Sequence, residues 1–115
     1  IKEFDEGNLN DAITFFKYLT EYFDFFKHSY KDSKLSHLSN YYLGLSFKKI
    51  FKFANAINFF NKAIQISYED PYSLYHRGLC YEGLGENNRA ISDISKAIKR
   101  NPNIKDFYIK NKSYN

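Results

Sequence analysis

The residues best suited to chemistry lie in one stretch, Gly78–Ile91, with the sequence GLCYEGLGENNRAI. Its first two glycines have the opening spacing of a loop that binds nucleotide phosphates. Such a loop also needs a Lys followed by Ser or Thr after the second glycine, and a β-strand before the first. Leu84 and Gly85 occupy the required places, and the residues that follow Pro71 have helical spacing. The glycines therefore do not predict a nucleotide site.

A metal or nucleophile site is the next candidate, because His76 and Cys80 lie four residues apart. Two ligands do not complete a tetrahedral zinc site, and no nearby residue has the spacing to add a third. As a nucleophile Cys80 would need an orienting acid, and Glu82 projects about 200° round a helix from it. We therefore expect no metal, no cofactor and no enzymatic activity. The other histidines, His28 and His37, are expected to be solvated.

Composition limits the remaining functional classes. The chain has 115 residues, the length of one domain, and no Met, so we expect it to be an excerpt of a longer polypeptide. Its net charge of +4 comes from scattered basic residues with acidic ones between them, which does not predict nucleic-acid binding. The single cysteine predicts a reducing, intracellular compartment, the cytoplasm. No stretch approaches the ~18 apolar residues of a membrane helix, and the first residues lack a signal-peptide core.

The main organising feature is an internal repeat with a period of 34 residues. The identical pairs at this spacing include Tyr41/Tyr75, Gly44/Gly78, Leu45/Leu79, Ala56/Ala90, Ile57/Ile91, Lys62/Lys96, Ala63/Ala97 and Ile64/Ile98. A partial third copy, Ala12–Phe16, matches Ala56–Phe60 at a shift of 44 residues. The extra residues between these two copies lie in Phe25–Ser36. We expect this insertion to be a helix extension followed by a loop.

Each full unit has the pattern of two helices. In the later unit Pro71 suits a first helical turn, and Gly85 suits the positive φ that ends a helix. Asn87 or Asn88 can cap the second helix, which ends before Pro102. The two apolar stripes are Leu74, Gly78, Tyr81 and Leu84, then Ala90, Ile91, Ile94, Ala97 and Ile98. Turns of about three residues require the two helices to pack antiparallel.

Small residues recur where two helices must approach closely. Gly44 and Gly78 occupy the same phase of the first helix in successive units. Glycine within a helix costs roughly 1 kcal/mol relative to alanine, so its recurrence indicates a steric need. The sequence predicts an all-α fold.

These residues resemble the tetratricopeptide repeat. The later unit matches its skeleton at Leu74, Gly78, Tyr81, Gly85, Ala90, Ile94, Ala97 and Pro102. The earlier unit matches at Leu43, Gly44, Phe47, Ala56, Phe60 and Ala63. It departs at Asn40, where a large apolar residue is usual, and at Tyr68, where proline is usual. The resemblance implies a right-handed superhelical stack of antiparallel helix pairs, without catalysis, whose first helices line a concave groove.

The resemblance divides the chain into four parts. Residues 1–36 hold the second helix of a partial repeat and the insertion. Residues 37–70 and 71–104 are full repeats. Residues 105–115 begin a further helix or a capping helix.

Groove positions transfer residue by residue from the resemblance. In the earlier unit they are Leu38, Tyr41, Tyr42, Leu45, Lys48 and Lys49. In the later unit they are Tyr72, Tyr75, His76, Leu79 and Glu82. The Lys and Asn residues that clamp chaperone C-terminal tails in one subgroup are replaced by Tyr41, Leu45, Tyr42, Tyr72 and His76, so we do not expect that ligand. The Tyr-rich groove predicts a protein or peptide partner.

Self-association is the alternative to groove binding. The N-terminal helix AITFFKYLTEYFDFF is aromatic over more than one stripe, so a preceding segment or another chain must cover it. RNA-reading helical repeats have a longer period and polar code residues, and we expect no nucleic-acid partner.

Overall fold

The computed structural model describes the backbone of residues 6–26 and 30–113, and the side chains of residues 9–21 and 33–112. These residues form six α-helices and no strand. The helices are α1 (Glu6–Phe26), α2 (Tyr30–Lys49), α3 (Phe53–Ile66), α4 (Pro71–Gly83), α5 (Asn87–Arg100) and α6 (Asn103–Ser113). Each helix packs against the next one along the chain. The predicted all-α stack of helix pairs is confirmed.

The insertion lengthens two helices. α1 has 21 residues and α2 has 20, whereas α3, α4 and α5 have 13 or 14. The expected helix extension is confirmed for α1, which continues to Phe26. The expected loop is wrong for residues 30–36, which form the first turns of α2. Residues 27–29 lie outside the described residues.

Within each repeat the two helices meet at the recurrent glycine. A Cβ at Gly44 would lie 2.5 Å from the ring of Phe60, and a Cβ at Gly78 would lie 2.7 Å from Cγ1 of Ile94. Phe60 and Ile94 are themselves one period apart. The steric need inferred from the sequence is confirmed, because in both repeats a side chain of the second helix fills the space that a Cβ would take.

The helix ends follow the predicted turns with one exception. Gly85 has φ 78°, and Phe51, one period earlier, has φ 63°. Asp70 caps α4, since its Oδ1 accepts a 2.8 Å hydrogen bond from the amide of Tyr72. The predicted Asn cap of α5 is wrong: the helix starts at Asn87, and the preceding Glu86 makes no capping hydrogen bond with its side chain.

The core consists of two buried clusters joined near Tyr81, which packs against both. The first cluster is Leu9, Ile13, Leu43, Phe47, Ala56, Ile57, Phe60 and Cys80. The second is Leu74, Tyr75, Ala90, Ile94, Ala97 and Ile104. Cys80 belongs to the first cluster although it lies on α4, and Ile104 of α6 completes the second. Each cluster thus includes the first helix of the next repeat, which connects neighbouring units of the stack.

Candidate functional site

The candidate site is a cavity of about 400 Å³ lined by residues of α2, α4 and α6 and of the turn before α6. We call it the aromatic cavity. Its lining is Tyr41, Tyr72, Tyr75, His76, Asn101, Asn103, Ile104 and Phe107. The first four are predicted groove residues, which the structure brings together from α2 and α4. The other four come from α6 and the turn before it.

The repeat period places the central rings of the aromatic cavity. Tyr41 and Tyr75 are one period apart, so they occupy the same place on adjacent helices. His76 lies between them, with its ring centroid 5.9 Å from that of Tyr41 and 5.1 Å from that of Tyr75. Phe107 approaches Tyr75 edge-on at 6.3 Å. These spacings are those of favourable edge-to-face ring pairs, and they give the cavity apolar walls.

The imidazole of His76 is uncharged. Burial, together with the nearby charge of Lys48, lowers the pKa of His76 to about 3. Its Nδ1 lies 3.0 Å from Nζ of Lys48, so the ammonium donates and the imidazole accepts. Burial also lowers the pKa of Lys48. Lys48 makes no ion pair with a carboxylate of the described residues.

The rim of the aromatic cavity carries polar groups. The Asn101 side-chain amide donates to the hydroxyl of Tyr72 at 3.1 Å. The amide of Asn111 donates to the hydroxyl of Tyr75 at 3.3 Å. Apolar walls with a few polar groups are typical of sites that bind a side chain or a small ligand.

Sequence reasoning missed the contribution of α6. Ile104 is buried, and Phe107 closes one side of the aromatic cavity although it is 58% exposed. The signal was present after Pro102, where Ile104, Phe107, Tyr108 and Asn111 recur at helical spacing.

The other predicted groove residues have several environments. Glu82 accepts hydrogen bonds from the hydroxyl of Tyr108 at 3.0 Å and from Nζ of Lys112 at 2.6 Å. Tyr42 stacks on Phe16 of α1, with ring centroids 5.7 Å apart. Leu45 and Leu79 are half-buried and pack against the first and second cluster respectively. Leu38 and Lys49 are exposed and lie outside the lining of the cavity.

One histidine expectation needs correction. His37 was expected to be solvated, but its side chain is 14% exposed. Its Nε2 lies 3.1 Å from Oδ2 of Asp70, and its Nδ1 lies 2.8 Å from the carbonyl oxygen of Ala63. Both neighbours are acceptors, so the site favours the imidazolium, in which both ring nitrogens donate, and the hydrogen bond to Asp70 raises the pKa of His37. The sequence gives no local sign of this, because Asp70 and Ala63 are distant along the chain; His28 lies outside the described residues.

The other candidate chemistry has little support. Burial raises the pKa of Cys80 to about 11, so the thiol keeps its proton and is a poor nucleophile. Among residues with described side chains, no three His, Cys, Asp or Glu groups are placed to hold a metal ion. None of the described helices has the length and apolar character needed to cross a membrane.

Comparison with known proteins identifies the repeat. Family models described as tetratricopeptide repeat match residues 39–70 and residues 71–104. A curated relative, an NADPH oxidase activator of Dictyostelium discoideum, is 28% identical over 103 residues, which is 87% of this chain. The matched region spans 14% of that relative's length.

Proposed function

The chain belongs to the tetratricopeptide repeat family, and from this premise we propose that it binds a peptide or helix of a partner protein. The binding site would be the groove along α2, α4 and α6, and the role would be non-catalytic, as is general for the family. The observation that carries the proposal is the aromatic cavity, which opens on this groove and is lined by residues of all three helices.

The side chains of the cavity suit a protein partner. Tyr72 and Phe107 are 50% and 58% exposed, so each offers a large ring surface for contact. Tyrosine combines such a surface with a hydroxyl, and it is enriched at protein interfaces. The volume lies within the range of sites that bury a ligand group.

The curated relative gives support of a general kind. Its name describes an activator of an NADPH oxidase, which is a protein that acts on another protein. A repeat module within such a protein is consistent with partner binding. We further propose an intracellular, cytoplasmic location, because the chain's single cysteine is a free thiol.

Affinity capture with matched variants tests the groove. The Tyr72→Ala/Phe107→Ala variant removes two exposed rings of the aromatic cavity. The control variant, Tyr68→Ala/Ile91→Ala, removes two side chains that are 69% and 64% exposed and lie outside it. We expect the first variant to lose partners that the wild type and the control retain. Equal recovery by all three would contradict the proposed groove.

Self-association is a second candidate, favoured by one observation. α1 exposes Phe15 and Tyr18 at 56% and 68%, so aromatic surface is available to a second chain. Sedimentation equilibrium over a dilution series measures this directly. A mass that falls towards the monomer on dilution, and a Phe15→Ser/Tyr18→Ser variant that is monomeric throughout, would support it. A monomer at every concentration would exclude it for this chain.

A further inference from the structure

We propose that the segment bound in this groove carries a large apolar side chain beside an internal Asp or Glu. The apolar side chain fills the aromatic cavity and the carboxylate pairs with Lys48. This inference rests on the proposed function, since it names the chemistry of the partner at the same groove.

The cavity selects an uncharged group. Its lining holds three tyrosines, two asparagines, an isoleucine, a phenylalanine and the neutral imidazole of His76. A charged side chain placed there would lose water without meeting an opposite charge, which is strongly unfavourable. An aromatic or branched aliphatic side chain would instead add ring contacts with Tyr75, His76 and Phe107.

Lys48 is the group that would bind the acidic residue of the partner. Burial lowers its pKa, yet its hydrogen-bond partner, His76, carries no charge and cannot neutralise the ammonium. A desolvated charge without a counter-charge is costly, and a carboxylate from a partner would remove that cost. Lys48 is therefore a cation to which an anionic group can bind favourably.

The acidic residues near the groove already have partners. Glu82 pairs with Lys112 at 2.6 Å, and Asp70 pairs with His37 at 3.1 Å. Asp70 also accepts from the hydroxyl of Ser73. Since these carboxylates satisfy other groups and none of the described ones pairs with Lys48, the ammonium is available to a carboxylate of the partner.

The distance between the aromatic cavity and Lys48 sets the number of residues between the apolar and the acidic residue of the partner. The ring of His76 lines the aromatic cavity, and its Nδ1 is 3.0 Å from Nζ of Lys48. One imidazole ring thus separates the apolar subsite from the cation. Successive Cα atoms are about 3.8 Å apart, so in an extended segment the acidic residue lies one or two positions from the apolar one.

A side-chain carboxylate fits better than a chain terminus. The aromatic cavity is lined by Tyr41, Tyr72 and other uncharged residues, so its lining offers no cation to a terminal carboxylate. Lys48 remains as a single cation, which one Asp or Glu side chain can neutralise.

Selection from a random 12-residue peptide library tests the inference. The peptides are displayed on phage within a coat protein, so that neither peptide end is free. Peptides selected on the wild-type chain are synthesised with blocked ends and titrated calorimetrically. We expect them to carry an aromatic or large aliphatic residue within two positions of Asp or Glu. Lys48→Gln should weaken their binding about tenfold or more and remove its dependence on salt. The matched control, Lys96→Gln, changes an exposed lysine of α5 that lies outside the predicted groove and should change binding less than twofold.

The outcomes separate this inference from the proposed function. Peptides that lose binding in Tyr72→Ala/Phe107→Ala, but lack an acidic residue or bind Lys48→Gln equally well, would overturn the inference and leave the groove standing. Peptides that bind only with a free C-terminus would also overturn it. If no selected peptide depends on Tyr72 and Phe107, both proposals fail. Thermal unfolding of Lys48→Gln checks its fold, which should be at least as stable because a desolvated charge is removed.

Discussion

The two matched repeats, residues 39–70 and 71–104, have the same backbone plan and different interiors. Both place a glycine of the first helix against a side chain of the second, Gly44 against Phe60 and Gly78 against Ile94. Elsewhere, paired positions differ in chemical type. Helix phase and the close approach of the two helices are thus common to both units, whereas the chemical type of the buried side chains differs between them.

The largest difference is a polar pair in place of an apolar one. In the earlier unit Leu43 is fully buried, and Phe59 stacks on Phe47 with ring centroids 5.3 Å apart. One period later these positions are Arg77 and Asp93, joined by two hydrogen bonds of 2.8 Å. Arg77 also donates to Asn61 of the earlier unit at 2.9 Å. Its guanidinium therefore connects both helices of its own repeat to the preceding repeat.

Asp93→Ala should have the largest effect on stability. The Asp93 side chain is 5% exposed, and its removal leaves the guanidinium of Arg77 partly buried without a counter-charge. We expect the free energy of unfolding to fall by about 3 kcal/mol, measured by urea denaturation. The double variant Arg77→Leu/Asp93→Phe copies the earlier unit and should recover to within about 1 kcal/mol of the wild type. A double variant as unstable as Asp93→Ala would show that the two interiors are not interchangeable.

Asn40 and Leu74 provide the next comparison. Asn40 is 1% exposed, and its Oδ1 has no hydrogen-bond partner among the described residues, although its Nδ2 donates to the carbonyl of Ser36 at 3.0 Å. Leucine has nearly the same shape, and it is the residue one period later. Asn40→Leu should raise the free energy of unfolding by about 2 kcal/mol, because a buried unsatisfied acceptor is removed. Leu74→Asn serves as the reciprocal variant and should lower it; destabilisation by both changes would contradict this reasoning.

Phe51 and Gly85 share a positive φ, which glycine adopts without strain. Phe51 is 79% exposed, so its side chain contributes little burial to offset the strain. Phe51→Gly should raise the free energy of unfolding by about 1 kcal/mol, and Gly85→Ala should lower it by a similar amount. The midpoints of thermal unfolding measure both changes. Stabilisation by Gly85→Ala would rule out strain as the difference between the two turns.

Sequence reasoning succeeded where the contacts recur with the period. Gly44 and Gly78 could be predicted because their close packing recurs with the period, and the turn at Gly85 because a glycine just past a helix end is a local backbone signal. The contribution of Phe107 to the cavity was missed, since one period earlier the residue is Ser73 and only the helical spacing after Pro102 indicated α6. The His37 ion pair was also missed, because it depends on side chains of helices that meet only after folding.

His37 is replaced by Pro71 one period later, and the expected effect of changing His37 is the smallest because Asp70 keeps its hydrogen bonds from Ser73 and from the amide of Tyr72. The hydrogen bond to Asp70 raises the pKa of His37 above 6.5, against the effect of burial. Burial opposes the change at Asp70, but hydrogen bonds from His37, Ser73 and the amide of Tyr72 lower the pKa of its carboxyl below 3.8.

These shifts define a pH window. The contribution of His37 is complete below 6.5, the pKa of the unfolded state, and is lost as pH rises through the higher folded pKa. The contribution of Asp70 is present above 3.8 and is lost as pH falls through the lower folded pKa. The joint contribution is therefore greatest between these two values.

Urea unfolding of the wild type and of His37→Gln, from about pH 5 to about pH 9, measures the effect. The stability difference between them should shrink as pH rises above the folded pKa of His37. NMR titration gives that pKa directly, and His76, with a pKa of about 3, should show no titration in the same range. A stability difference that does not change with pH would mean that His37 acts by packing alone.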